Sequence, residues 1–126
     1  MSDTQDKTES LLAAIDLGSN SFHLIIAKSD FGELRPVQAL AEKVQLGETS
    51  SAAMLTPGAI ERGLACLERF KQLIDSTAPA KLRIVGTNAL RRAKNRQDFI
   101  APAEQILGAP IDVIYGREEA RLIYLG

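Results

Sequence analysis

The sequence predicts an α/β fold with a mixed sheet, and the order of its extended and helical segments carries this prediction. Three strand-like segments with short connections come first, which is typical of an antiparallel meander. Two further strand-like segments then alternate with helical patterns, and each connection is long enough for a right-handed crossover to a parallel strand. We therefore expect a three-stranded meander continued by two parallel strands, with helices covering the sheet.

Composition indicates a single globular domain. The chain has 126 residues, of which 45% are apolar, so it can bury a core of its own. Its formal net charge of −1, from 15 basic and 16 acidic residues, argues against a general nucleic-acid binder, which normally carries a strong basic excess. No apolar run approaches the roughly 18 residues that cross a bilayer, so we expect no membrane partner.

The first ten residues are polar and lack the apolar core of a signal peptide. We interpret residues 1–10 as a disordered tail on a cytoplasmic protein and residues 11–126 as the folded domain. Cysteine and histidine each occur once, which excludes an internal disulfide and a zinc site of the Cys/His kind. We expect Cys66 to pack as a small hydrophobe in a helix and His23 to be a satisfied structural histidine rather than a catalytic one.

A short polar turn separates two apolar strands in the segment 13–26, A-A-I-D-L-G-S-N-S-F-H-L-I-I. Gly18 allows the backbone to approach a ligand closely, and successive N–H groups of such a turn can form a nest for phosphate oxygens. Asp16 ends the incoming strand, where it could face a divalent cation. The same residue types are common in ordinary hairpins, so the pattern by itself leaves both interpretations open.

The middle of the chain predicts a third strand at 34–40, a long helix and a fourth strand at 82–86. Lys43 follows the third strand, where it either reaches an anion at the turn or is simply solvated. Thr56-Pro57 predicts the start of the helix, with Thr as the N-cap and Pro at the first helical position. Apolar residues then recur at helical spacing and predict one buried face. They are Ile60, Leu64, Leu67, Phe70, Leu73 and Ile74.

A cationic segment follows the fourth strand. Residues 86–96 read G-T-N-A-L-R-R-A-K-N-R, with four cations between Arg91 and Arg96. A strand that passes through Gly-Thr-Asn into a helix places free N–H groups at the carboxyl edge of the sheet, a usual anion-binding position in α/β folds. A solvated helix end explains the same charges without any ligand.

The last third of the chain predicts a helix at 98–107, a fifth strand at 111–115 and a helix over 116–126. Pro102 is unfavourable inside a helix, so we expect that helix to start near Pro102 or to kink there. The final segment, G-R-E-E-A-R-L-I-Y-L-G, begins with two adjacent acids. Acids are favourable at a helix start for electrostatic reasons alone.

Three of these segments together resemble the exopolyphosphatase/guanosine pentaphosphate phosphatase (Ppx/GppA) family. They are D-L-G-S-N-S-F-H-L-I-I at 16–26, T-N-A-L-R-R-A-K-N at 87–95 and G-x-E-E-A-R-L-I-Y-L-G at 116–126. The family belongs to the actin–sugar kinase–heat-shock ATPase superfamily, so the resemblance implies a ribonuclease H-like lobe. The order of strands and helices is the one that such a lobe would show.

The resemblance also implies roles for single residues. Glu119 is the expected general base that activates the attacking water, whereas Glu118 would point about 100° away around the helix. Arg91 is expected to bind substrate phosphates, and Arg92 and Arg96 carry less specific support. Asp16 is expected to lie near a Mg²⁺ ion. The remaining expected substrate-binding residues are Gly18, Ser19, Asn20, Ser21 and Asn88.

The implied activity is hydrolysis of a terminal phosphoanhydride bond in inorganic polyphosphate, guanosine pentaphosphate (pppGpp) or both. It requires that the turn at 16–21, the cationic strand exit and the start of the last helix converge on one side of the sheet. The family also has an Asp-x-Gly-Gly-Gly-Ser loop and a second lobe, which this sequence does not contain. We therefore expect residues 11–126 to be an N-terminal lobe that is inactive alone and belongs to a homodimer when full-length.

Two other functions fit parts of the same pattern. A sugar or acetate-type kinase of this superfamily would share the lobe and the D-x-G turn, although the S-N-S-F-H run and the E-E-A-R-L helix fit it poorly. A non-catalytic lobe that binds a guanosine polyphosphate or mediates dimerisation would need no general base. Phosphate release, phosphorylation of an acceptor, or neither distinguishes the three.

Overall fold

A five-stranded mixed sheet forms the centre of the computed structural model, which describes residues 9–47 and 53–114. In chain order the elements are β1 (Glu9–Leu17), β2 (Ser21–Asp30), β3 (Glu33–Lys43), α1 (Pro57–Thr77), β4 (Lys81–Gly86), α2 (Asn88–Arg92), α3 (Gln97–Leu107) and β5 (Ile111–Val113).

The strand order in the sheet is β3-β2-β1-β4-β5. Strands β1, β2 and β3 form an antiparallel meander, and β4 and β5 add to it in parallel beside β1. The predicted mixed sheet is therefore confirmed. Because β1 is the central strand, its carboxyl end lies between the hairpin turn on one side and the exit of β4 on the other.

Two strands, β1 and β3, are longer than the apolar pattern predicts, because strand pairing continues past the apolar residues. β1 begins at Glu9, so Glu9 and Ser10 are strand residues and not part of the tail expected over 1–10; they pair with Asp30 and Ser29 of β2. β3 runs from 33 to 43 instead of 34 to 40. Backbone hydrogen bonding continues wherever a partner strand lies opposite, whatever the side chains are.

The core lies between one face of the sheet and the helices α1 and α3. Alternate residues of β1 and β2 supply the sheet side of it, and they are Ala13, Ile15, Leu17, Phe22, Leu24 and Ile26. The ring of Phe22 also packs against that of Phe99 in α3, with centroids 6.0 Å apart and planes inclined by 59°. The sheet and both helices therefore share one packing unit.

Helix α1 starts as predicted. The Oγ1 of Thr56 accepts a hydrogen bond from the N–H of Ala59 at 3.1 Å, and Pro57 is the first helical residue. Three of the six predicted core residues are buried, namely Leu67, Phe70 and Ile74, whereas Ile60, Leu64 and Leu73 are only partly buried. The small residues Ala59, Gly63 and Cys66 complete the buried face.

Helix α3 is longer than predicted. It begins at Gln97 and contains Pro102, so the expectation that it starts near Pro102 is wrong. Pro102 lacks an N–H group, which leaves the carbonyl of Asp98 without its helical donor. Asp98 is exposed, so water can satisfy that carbonyl. No helix in the described ranges is both long and apolar enough to cross a membrane.

Gly63 fixes the distance between α1 and the rest of the core. A Cβ at this position would lie 2.7 Å from Cε1 of Phe99 and 3.4 Å from the ring of Phe22. Both rings are fully buried and have little room to move. The close approach of α1 therefore depends on the absence of a side chain here.

We expect Gly63→Ala to lower the free energy of unfolding by about 1–3 kcal/mol, because the added methyl group overpacks the core. Gly58→Ala is the matched control, since a Cβ there meets only Nη1 of Arg62, at 3.4 Å. The control should be neutral or stabilise the protein by up to ~1 kcal/mol through helix propensity. Urea unfolding of both variants measures this, and equal effects would contradict the close-packing argument.

A polar cluster joins α1 to β3 beside the core. Nε and Nη2 of Arg69 donate to the two carboxylate oxygens of Glu42 at 2.8 and 2.6 Å. This bidentate pair holds the pKa of Glu42 below its ordinary value. Burial, and then the negative charge of Glu42, raise the pKa of the Cys66 thiol to about 12. Cys66 is fully buried, as its predicted role as a small hydrophobe requires.

The Cys66 thiol should make the fold sensitive to alkali. Its pKa is raised from an ordinary 9.0 to about 12, so above pH 9 the unfolded chain loses this proton while the folded chain keeps it. Stability must therefore fall as pH rises through that window. We expect wild type to lose stability relative to Cys66→Ala in urea unfolding above pH 9. A constant difference between the two at all pH values would contradict this.

Candidate phosphate-binding site

The turn between β1 and β2 is held by the segment that follows β3. The carbonyl of Asn20 accepts hydrogen bonds from the N–H groups of Val44 and Gln45 at 2.9 and 2.8 Å, and that of Ser19 accepts from Gly47 at 2.8 Å. These hydrogen bonds occupy the carbonyl groups of Ser19 and Asn20. The N–H groups of Ser19 and Asn20 have no partner in the part of the chain that the structure describes.

Two glycines let this segment and the turn pack closely. A Cβ at Gly18 would lie 2.8 Å from the carbonyl oxygen of Ser21, and one at Gly47 would lie 3.1 Å from Cβ of Ser19. Arg62 of α1 holds the segment from the other side, because its Nε donates to the carbonyl of Val44 at 2.8 Å and its Nη2 to that of Gln45 at 3.3 Å. The turn is therefore anchored to the core through α1.

The exit of β4 is tied to the end of β1. Both the N–H and the Oγ1 of Thr87 lie 3.4 Å from the carbonyl oxygen of Leu17 and donate to it, and Thr87 is buried. Helix α2 begins at the next residue, Asn88. Two of the three segments expected to converge are thus joined at the carboxyl end of β1.

A cavity of about 420 Å³ lies where these segments meet. Its lining residues are Ser19, Gly47, Ala53, Asn88, Ala89 and Arg92. Among the described residues the lining includes hydroxyl, amide and guanidinium donors, with one cation and no carboxylate. The arrangement suits an anion, and a phosphoryl group accepts hydrogen bonds at all its free oxygens.

The far wall of the cavity is a loop held by side-chain and backbone hydrogen bonds. The N–H of Leu55 donates to Oδ1 of Asn95 at 2.7 Å, and Nδ2 of Asn95 donates back to the carbonyl of Leu55 at 3.1 Å. The N–H of Lys94 also donates to the carbonyl of Ala53 at 3.1 Å. The side chain of Asn95 therefore fixes Leu55, and the backbone of Lys94 holds Ala53 at the cavity.

The structure brings Ser19 and Asn88 of the predicted site residues into the cavity lining. Gly18, Asn20 and Ser21 belong to the same turn and shape it without lining the cavity. Arg91 is partly buried, and its Nη2 donates to Oδ1 of Asn88 at 2.6 Å. The predicted roles of these residues stay predictions.

Asp16 lies on the sheet face opposite to the core, because Ile15 and Leu17 on either side of it point into the core. Its Oδ1 is buried and has no hydrogen-bond partner among the residues that the structure describes. A buried carboxylate oxygen without a partner is costly, and a bound cation or its water would satisfy it. Within residues 9–47 and 53–114, no three His, Cys, Asp or Glu side chains are grouped to hold a metal by themselves.

The sequence analysis also made predictions for His23, Lys43 and Glu119. His23 pairs with Asp16 across the antiparallel ladder, but its side chain is exposed, so the expectation of a satisfied structural histidine is wrong. Alternation explains this, because Phe22 and Leu24 take the core face. Lys43 is exposed beside Ser21, which leaves both of its interpretations open. Glu119 lies outside the described residues.

Four lining residues were not among the predicted site residues, namely Gly47, Ala53, Ala89 and Arg92. The sequence does indicate Arg92 as a candidate, since it belongs to the cationic segment. Gly47 and Ala53 lie on either side of the undescribed residues 48–52 and reach the cavity only through tertiary hydrogen bonds. Ala89 is the helix residue after Asn88, so its place at the cavity follows from the place of Asn88.

Comparison with known proteins identifies the family. The model of the Ppx/GppA phosphatase family matches residues 25–126. The chain belongs to the Ppx/GppA family. The match extends from β2 through the cationic segment and beyond the described residues, so it covers two of the three predicted motifs in full and the end of the first.

Solved structures of Ppx/GppA proteins share the fold. An exopolyphosphatase-like protein is 34% identical with a TM-score of 0.83, over 90% of this chain and 35% of its own. The Aquifex aeolicus family member is 31% identical with a TM-score of 0.83, over 90% and 37%. An exopolyphosphatase from Cytophaga hutchinsonii is 28% identical with a TM-score of 0.81, over 89% and 36%.

These similarities confirm the predicted fold class, because Ppx/GppA structures belong to the actin–sugar kinase–Hsp70 ATPase superfamily. The chain spans little more than a third of the length of the proteins that it matches. The region that it matches is one part of each of these longer proteins.

We expect Asn95→Ala to destabilise the protein by about 1–3 kcal/mol, because it leaves the N–H and carbonyl of Leu55 without their partners. Leu55 is almost fully buried, so water cannot replace the lost bonds easily. Lys94→Ala is the matched control, since Lys94 contacts Ala53 through its backbone only. Thermal unfolding of both variants measures the difference, and a Lys94→Ala variant as unstable as Asn95→Ala would contradict this role.

Proposed function

We propose that the full-length protein hydrolyses terminal phosphoanhydride bonds of inorganic polyphosphate, guanosine pentaphosphate or both. The observation that carries this proposal is the cavity beside the β1–β2 turn, whose described lining residues include the hydroxyl of Ser19, the amide of Asn88 and the guanidinium of Arg92. Its position at the carboxyl ends of β1 and β4 agrees with the usual place of ligands in α/β sheets. The exopolyphosphatases among the similar structures support the same reaction class.

The residues of this chain would act mainly by positioning the phosphate chain. The hydroxyl group of Ser19 and the amide of Asn88 would donate to phosphoryl oxygens. The N–H groups of Ser19 and Asn20, which have no partner among the described residues, would donate as well. Phosphoryl transfer depends chiefly on alignment and charge stabilisation and needs no nucleophilic side chain. Donors that are already fixed by the fold stabilise developing charge without reorganising during the reaction.

Asp16 is the residue that would hold a Mg²⁺ ion. The buried, partnerless Oδ1 fits this role, since Mg²⁺ sites often use one or two carboxylates and complete their coordination with water and substrate phosphates. When bound, the ion would supply charge neutralisation on the phosphoryl group that is transferred.

Glu119 would be the general base, as the family resemblance implies. A water oxygen would form a bond to the terminal phosphorus while the bridging P–O bond breaks. Glu119 would accept the proton of the water, and the shortened chain would leave with the bridging oxygen. Because this chain spans about a third of its relatives, we expect it to bind phosphates weakly and to turn over little alone. A cytoplasmic, homodimeric full-length enzyme is part of the same proposal.

We expect Glu119→Gln in the full-length protein to reduce phosphate release from polyphosphate by about 100-fold or more, as loss of a general base does, without abolishing polyphosphate binding. Glu118→Gln is the matched control, because Glu118 would point about 100° away around the helix. Free phosphate and polyphosphate binding are measured in parallel. Unchanged hydrolysis in Glu119→Gln would overturn the base assignment, and a phosphorylated sugar or acetate formed from ATP would indicate the kinase instead.

A further inference from the structure

One residue of the segment that follows β3 has a left-handed backbone conformation without being a glycine. Gln45 has a φ of 55°, a region that residues with a Cβ rarely occupy, because the Cβ approaches a carbonyl oxygen there. The residue is exposed, so packing of its own side chain does not explain the conformation. Its neighbours Val44 and Leu46 are 2% and 0% exposed. A strained conformation of this kind persists only where the surrounding structure holds it in place.

The main chain at Gln45 is held from two sides. Its N–H donates to the carbonyl of Asn20 in the β1–β2 turn at 2.8 Å. The carbonyl of Val44, which belongs to the same peptide group as that N–H, accepts from Nε of Arg62 at 2.8 Å. The carbonyl of Gln45 accepts from Nη2 of Arg62 at 3.3 Å. One peptide group, Val44–Gln45, therefore links the guanidinium of α1 to a carbonyl of the turn.

This chain of hydrogen bonds strengthens the link to the turn. A charged donor binds a carbonyl more strongly than a neutral donor does. Successive hydrogen bonds also polarise one another, so a peptide group whose carbonyl is bound to a cation becomes a better donor at its N–H. Arg62 is not among the described residues that line the cavity. Its influence on a ligand there would pass through the Val44–Gln45 peptide group.

A second arginine of α1 provides a comparison within the same helix. Arg69 lies seven residues after Arg62, which is close to two full helical turns, so both side chains leave α1 on the same face. Both residues are exposed. Arg69 donates to the carboxylate of Glu42 in β3, whereas Arg62 donates to the backbone that contacts the turn.

We propose that Arg62 is a positioning residue of the phosphate site. It fixes the Val44–Gln45 peptide group and through it the β1–β2 turn, so that phosphate affinity depends on a side chain that does not touch the ligand. This inference rests on the proposed function, because it assumes that the turn binds phosphate. Arg62 also has an interaction besides these two bonds, and the inference requires only that the bonds to Val44 and Gln45 contribute to binding.

The first test is a titration of this chain with inorganic tripolyphosphate, followed by ¹⁵N NMR of the Ser19 and Asn20 amides. We expect Arg62→Gln to raise Kd roughly fivefold, as the loss of about one net hydrogen bond does, and to shift both amide signals before any ligand is added. Arg62→Lys keeps the charge but loses the planar fork of donors, so it should raise Kd as well. Arg69→Gln is the matched control, because it removes the same charge from the same helix face. It should change Kd by less than about twofold, since salt screens exposed charges, and should leave the two amide signals in place.

A second variant tests the link through Gln45. Glycine adopts left-handed conformations readily, so the segment needs less support from Arg62 in Gln45→Gly. Arg62→Gln should therefore raise Kd by a smaller factor in the Gln45→Gly background than in wild type, which a double-mutant cycle measures. Dispersed spectra show which variants are folded, and Arg62→Lys serves in place of Arg62→Gln where the latter is not.

The results distinguish failure of this inference from failure of the proposed function. Wild type that binds with shifts at Ser19 and Asn20, while Kd is unchanged in Arg62→Gln or raised equally in Arg69→Gln, overturns the role of Arg62 and leaves the phosphate site standing. A ligand-induced shift at Nε of Arg62 as large as that of the Ser19 amide indicates direct contact and also overturns the positioning role. Equal effects of Arg62→Gln in the two backgrounds overturn the link through Gln45. Wild type that shows no shift at Ser19 or Asn20 at any tripolyphosphate concentration overturns the phosphate site itself, and with it the proposed function.

Discussion

The site depends on the hydrogen bonds between the β1–β2 turn and the segment that follows β3. Val44, Gln45 and Gly47 donate to the carbonyls of Asn20 and Ser19, which engages the acceptor side of the turn. A turn that exposed both its carbonyls and its N–H groups would repel phosphate oxygens as well as attract them. With the carbonyls occupied, the N–H groups remain for a ligand. The concave arrangement of N–H groups, of the kind that suits an anion, is therefore held in place by the segment that follows β3.

The segment that follows β3 is itself held in place by the core. Arg62 connects the bracing segment to α1, and α1 packs on the sheet through small residues, of which Gly63 permits the closest contact. On the other side of β1, Thr87 joins the start of α2 to the carbonyl of Leu17. The two walls of the cavity are thus positioned by the same central strand. A shift in the packing of α1 would move the turn relative to Asn88, so the shape of the cavity depends on the packing of the core.

Local sequence rules predict the elements better than the site. The order of strands, the Thr56 cap and the turn at 18–20 follow from alternation, capping and turn chemistry, which act over a few residues. The bounds of β1 and the course of α3 through Pro102 are set by partner strands and packing, which local patterns do not contain. The cavity lining shows the same limit, since Gly47 and Ala53 reach Ser19 and Lys94 only through contacts between segments distant in sequence. Asn88 could be placed at the cavity because its motif was recognised, whereas the sequence alone does not show which of the two neighbouring arginines lines it.

The balance of donors in the cavity has a chemical consequence for the proposed reaction. Neutral donors align a phosphoryl group, because hydrogen bonds have a preferred direction. Several cations would instead attract it by net charge, which acts at any orientation. Alignment is what phosphoryl transfer requires, and a hydrolase must also release the phosphate that it forms. Uniformly tight binding of substrate, transition state and product would not raise the turnover rate. In the proposed reaction, the one guanidinium among the described lining residues would attract the polyanion, and the neutral donors beside it would align the phosphoryl group without holding the released phosphate by charge alone.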